Sequence, residues 1–168
     1  MAQRSRSWYI RSDMDYYLGA SIGGLVAFVF SIPAIVLELV ERGSVGNLPL
    51  VIDIKTIFGR KLKKEEVFWV AILFHTVIGG LFGLVYVLFV KQHWLVFTND
   101  PYSFLSLVIY AACSWVVAGL VLFPILGLGL FGRREGKRVW MEMLATHFVL
   151  GIGMWLLVQY YQPVFFID

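Results

Sequence analysis

The sequence predicts an all-α integral membrane protein, with four transmembrane helices in an up-down-up-down bundle. Three observations predict it. The 168 residues are 60% hydrophobic and only 15% charged, against roughly 45–50% and 25% in a soluble domain. Mean hydropathy is +0.79. The apolar residues fall into four blocks, each longer than the roughly 20 helical residues that cross a 30 Å hydrocarbon layer. On a soluble chain the same surplus would form large exposed patches, which soluble proteins rarely carry.

The first block, Tyr17–Val40, carries one charged residue, Glu38, near its end. The polar stretch Met1–Tyr16 precedes it. The block exceeds the roughly 7–15 apolar residues of a signal peptide, so it reads as a retained span. Val67–Val90 and Phe104–Phe131 contain no charged residue, and Val139–Tyr161 has Glu142 in its first turn. Short connections then impose the up-down path on a single membrane domain covering 1–168.

The first connection has a pattern of its own. Leu50, Ile54, Ile57, Phe58 and Leu62 recur at helical spacing, with Asp53, Lys55, Arg60, Lys61 and Lys63 on the other faces. A basic amphipathic segment over about 50–64 is expected to lie as a short helix in the membrane interface. Glu65 and Glu66 then open the second span, where carboxylates suit a helix N-terminus.

Charge sets the orientation. The connections Glu41–Glu66 and Gly132–Arg138 hold ten basic residues, whereas Arg4, Arg6, Arg11 and Lys91 on the other side make four. The positive-inside rule places the first and third connections in the cytoplasm and both termini outside, in a plasma or inner membrane. The same loops are expected to touch anionic lipid head groups. A net charge of +3 confined to loops, without a clustered patch or known module, argues against nucleic acid. Trp8, Trp69, Trp94 and Trp140 fall near helix ends as an aromatic belt, and His93 beside Trp94 reads as an exposed interface residue. The single cysteine, Cys113, excludes an intrachain disulfide and thiol-based metal spacing. It reads as a small packed residue.

The spans repeat. A shift of 91 residues lays Val26, Ala27, Pro33 and Arg42 on Val117, Ala118, Pro124 and Arg133. A shift of 72 lays His75, Val77 and Gly79 on His147, Val149 and Gly151. A duplicated helical hairpin is expected, with copies at about 17–90 and 104–161. Parallel repeats of this kind occur in some transporters.

His75 and His147 carry the chemistry, because ionisable groups inside a span are costly. Each lies roughly 12 Å inside the start of its helix, level with Pro33 and Pro124. A proline frees a backbone carbonyl, and a histidine N–H is a fitting donor to it. Alternatively, the two imidazoles are axial ligands of a haem b, with Gly79, Gly83 and Gly151 as the flat face for the ring. No metal other than that iron is indicated. In the plainer reading the same glycines form a close-packing face and there is no cofactor. Glu38 and Glu142 at the interface are proton-path candidates. The G-x-G-x-x-G formed by Gly127, Gly129 and Gly132 ends a span and follows no strand, so it is no nucleotide loop. His75/Gly79/Gly83 and His147/Gly151 resemble small duplicated four-helix membrane proteins, a likeness that names no family.

Three function classes follow. The leading one is a non-enzymatic multi-pass component that packs with itself as a homo-oligomer or joins a larger membrane complex. The second is a bis-histidine haem electron-transfer subunit. The third is a small proton, ion or solute carrier gated at the histidine layer.

Overall fold

The computed structural model describes residues 2–41, 55–58, 60–95, 98 and 100–165, with backbone only for 2–13, 34, 37–41, 56, 64, 65 and 161–165. Four helices dominate: α1 (Ala2–Glu41), α2 (Lys64–Lys91), α3 (Phe104–Val117) and α4 (Val139–Phe165). α3 continues through a π-helical turn, Ala118–Leu122, and a last α turn, Phe123–Ile125. Each helix contains a stretch long and apolar enough to cross a membrane: Met14–Pro33, Glu66–Lys91, Phe104–Ile125 and Val139–Tyr160. Length and composition thus mark a multi-pass membrane protein.

α1 and α2 lie against each other along their length because both carry glycine where they meet. Gly19 faces the backbone of Gly83, Gly23 faces Gly79, and Gly24 faces Thr76 and Gly80. The numbers rise on one helix as they fall on the other, so the two cross in opposite sense. The approach is backbone to backbone: a Cβ on Gly83 would stand 2.0 Å from the Gly19 oxygen. Glycine within a helix costs about 1 kcal/mol relative to alanine, and close helix approach offsets that cost in a bilayer. α1 also meets α4 where Gly153 faces Val26 and Phe30. α3 packs on α4 with Leu107 and Ala111 against Gly151.

Two apolar clusters fill the interior. One joins Ile22, Phe82, Tyr86, Leu107, Tyr110 and Met154. The other joins Ala118, Phe123, Leu128, Val139 and Met143 at the end carrying the first and third connections. There Phe58 N–H donates to Leu126 O at 3.2 Å, and Lys55 N–H donates to the Glu135 carboxylate at 3.0 Å. Residues 55–58, 60–63 and 126–138 therefore sit at one end of the bundle.

Four expectations need correction. α1 starts at Ala2 rather than Tyr17, because Ala2–Tyr16 contains neither glycine nor proline and a helix need not stop at the edge of the apolar layer. The third span ends at Ile125, not Phe131. Pro124 lacks an N–H, and in the π turn ahead of it the Phe123 N–H reaches back to Ala118 O. Gly127, Gly129, Phe131 and Gly132 then adopt positive φ and turn the chain.

The third correction concerns the amphipathic segment. Its residues 42–54 lie outside the described residues. Over the rest, β1 (Thr56–Ile57) pairs antiparallel with β2 (Arg60–Lys61) instead of forming a helix. Ile57 and Leu62 pack on the second cluster, while Phe58 turns out to the surface at φ 48°. Arg60 in β2 grips Glu66 through two contacts at 2.8 and 3.1 Å, and Glu66 accepts the Lys63 N–H at the start of α2. Finally, Cys113 is exposed. Leu107, Tyr110 and Ala111 take the packed face of α3 and leave Cys113 on the outer one.

Candidate functional site

The interior of the bundle holds one layer of polar side chains. α1 contributes Ser31, α2 His75 and Thr76, and α4 Thr146 and His147. Ser31 is fully buried and Thr146 nearly so. His75 lines a narrow crevice with Ala27 and Phe30 of α1 and Thr146, Val149 and Leu150 of α4. His147, the other histidine that the sequence singles out, is near enough to His75 to act on it electrostatically.

How each polar group is satisfied decides what the layer can do. Ser31 donates to Ala27 O at 2.9 Å. Thr146 donates to Met143 O at 2.8 Å, and His147 Nδ1 pairs with the same carbonyl at 2.7 Å. Ser114 of α3 donates to Ala111 O at 2.9 Å. All four bonds stay inside a single helix, the pattern of hydroxyls bonding back to the preceding turn. The expected histidine bond to a carbonyl freed by proline is therefore not the one His147 makes. Met143 O, one turn back, is the nearer acceptor. Pro33 is on the exposed face of α1. Among the described residues, the Thr76 hydroxyl is a buried side-chain group without a partner.

The packing around His75 is close. Its crevice is too tight to admit a water molecule. Gly79 and Gly83, the proposed seat for a porphyrin, face α1 instead. A Cβ on Gly79 would stand 2.4 Å from Ala27 Cβ and 2.7 Å from Gly23 O. Gly151 faces Ala111 and Leu107 O, each at 3.1 Å from such a Cβ. Phe82 places its ring edge-on to His147, with centroids 6.2 Å apart.

Glu142 is exposed at the start of α4, about 140° around the helix from His147. The Glu38 side chain lies outside the described residues. His93 is exposed. No group of three or more His, Cys, Asp or Glu side chains suited to a metal ion occurs among the described residues.

A second polar constellation sits toward the opposite end, in and beside the connection after α2. Tyr86 is fully buried. Its hydroxyl meets Ser106 Oγ at 2.6 Å and accepts the Tyr102 N–H at 2.9 Å. Tyr110 donates to Phe82 O at 2.9 Å, and Gln159 of α4 donates to Tyr102 O at 3.2 Å. The rings of Tyr86, Tyr102 and Tyr110 pack edge to face, with centroids 5.0–5.5 Å apart. Tyr102 has φ 63°, a costly conformation for an aromatic residue, and these bonds hold it there. Burial pushes the Tyr102 phenol above its ordinary pKa. Lys91 closes this end, 2.6 Å from Asp15 and over the Tyr16 ring. The sequence did carry a signal for this network: tyrosines inside an apolar span, whose hydroxyls need partners.

Comparison with protein-family models, with curated proteins and with solved structures finds no match to the chain.

Proposed function

We propose that the chain is a non-catalytic multi-pass membrane component that packs with itself or as a small subunit of a larger membrane complex. In this reading the four spans run up-down-up-down as two copies of one hairpin. Both termini lie outside and the two basic connections in the cytoplasm of a plasma or inner membrane. One observation carries it. The hydrogen bonds of Ser31, Ser114, Thr146 and His147 are closed within their own helices, so these four polar groups bond locally. Large apolar side chains such as Leu25, Phe28, Leu73, Leu81 and Val117 point outward, as contact with lipid or neighbouring spans requires.

The test is the mass of the assembly taken from native membranes in lipid-retaining polymer discs. A multiple of the 19.2 kDa chain, or a larger complex, is expected. A lone chain overturns the packing role. A proton or ion carrier is the second reading, favoured by His75 meeting Thr146 in one crevice and by the buried, unpartnered Thr76 hydroxyl next to His75 in sequence. Proton flux in vesicles that disappears in His75→Ala would favour it. A b-type haem subunit predicts a Soret band lost in the same variant, and the packing predicts a colourless protein.

A further inference from the structure

At the end of the bundle with the basic connections, Trp115, Phe131, Arg133, Lys137 and Trp140 line an open crevice of about 430 Å³. We propose that this crevice binds the phosphate of an anionic phospholipid. The inference rests on the membrane reading and assigns a lipid class to one built site.

Its walls are set by the way α3 ends. Phe131 has φ 50°, a strained backbone for an aromatic residue, and such strain gathers at ligand clamps. The strain turns the ring back onto α3. There it covers Gly119, where a Cβ would stand 2.2 Å from Phe131 Cδ1, and it lies 5.0 Å from the Trp115 ring. Trp115 Nε1–H donates to Trp140 O at 3.1 Å and ties the wall to the first turn of α4. The Trp140 ring stays partly exposed at the mouth.

The charge is one-signed. Arg133 and Lys137 line the crevice, and among the described residues no carboxylate does. Neither enters an ion pair among the described residues. Two neighbouring ions of the same connection are engaged elsewhere: Arg134 donates to Gly127 O at 3.0 Å, and Glu135 accepts the Lys55 N–H. The crevice opens where the Phe104–Ile125 and Val139–Tyr160 stretches meet the interface, the depth of lipid phosphates. Two cations offer a phosphate charge-assisted bonds, and tryptophan rings sit well at head-group level.

Native mass spectrometry tests this on the whole protein, purified from mixed phosphatidylglycerol and phosphatidylcholine. One retained phosphatidylglycerol is expected, with its occupancy over phosphatidylcholine falling about thirtyfold in Arg133→Gln/Lys137→Gln, the attraction of two cations at about 1 kcal/mol each. Arg138→Gln removes a charge from the same connection outside the crevice and is expected to keep the preference. Equal loss in both variants, or none in the double variant, overturns the site and leaves diffuse loop charge. Displacement of the lipid by millimolar glycerol phosphate would assign the site to soluble phosphates and overturn the lipid. Protein that stays out of membranes altogether fails the membrane reading itself, whereas protein that inserts without lipid preference fails the site alone.

Discussion

The α1–α2 contact makes a sharp prediction, because two of its glycines differ in what a methyl group would meet. In Gly83→Ala the new Cβ would stand 2.0 Å from Gly19 O, where real contacts stop at 3.0 Å. The obstacle is backbone, so the helices must part locally by about 1 Å, the difference between those two distances. Overpacking of this kind costs about 1–3 kcal/mol, against a helix-propensity gain of about 1 kcal/mol for replacing glycine by alanine. In Gly24→Ala the nearest atom is Thr76 O at 3.7 Å, an ordinary contact. That variant collects the gain with nothing to offset it. Gly83→Ala is therefore expected to be less stable than Gly24→Ala by about 1–3 kcal/mol. Unfolding in mixed micelles of increasing SDS fraction, followed by helix content, reads the difference. Equal midpoints would refute the backbone-to-backbone approach.

Three further predictions follow from the rest of the fold. Tyr86→Phe removes the acceptor of the Tyr102 N–H and strands a buried donor, so it is expected to cost about 1–3 kcal/mol in the same unfolding assay and to speed proteolysis of the loop after α2. Asp15→Asn breaks the pair with Lys91, both less than one third exposed, and is expected to cost about 1 kcal/mol in the same assay. Cys113 faces outward midway along the Phe104–Ile125 stretch. A charged, membrane-impermeant maleimide is expected to leave it unlabelled in sealed and in permeabilised vesicles and to label it after SDS, as gel shifts would record.

Much of this architecture was legible in the residues, and the gaps have physical causes. Hydropathy locates four helices because a bilayer demands long apolar runs. The start of α3 at Phe104 also carries a local signal, since Ser103 accepts the Ser106 N–H as its cap. Hydropathy says nothing about where a helix ends in water, so the extension of α1 through Ala2–Tyr16 was hidden. The end of α3 depends on φ at Gly127, Gly129 and Phe131, which no periodicity reports. Helical spacing of Ile57, Phe58 and Leu62 fits a hairpin equally well over so few residues. The histidines were legible as a pair on α2 and α4. Their partners were not, because Met143 O lies one turn from His147 in any helix and needs no proline. The tyrosines showed in the sequence as polar groups inside apolar spans, but their partners did not, because the network joins α2 to a loop and to α3. The glycine seam offered two readings, a seat for a ring or for a helix, and only the placement of α1 distinguishes them.

The central claim is that four helices cross one membrane, and the side on which each terminus emerges tests it most directly. A reporter active only outside the cytoplasm, fused in turn to the N-terminus, the C-terminus and the connection after Gly136, is the measurement to make. The account predicts activity at both termini and silence at the connection. Termini on opposite faces would mean an odd number of crossings and contradict it.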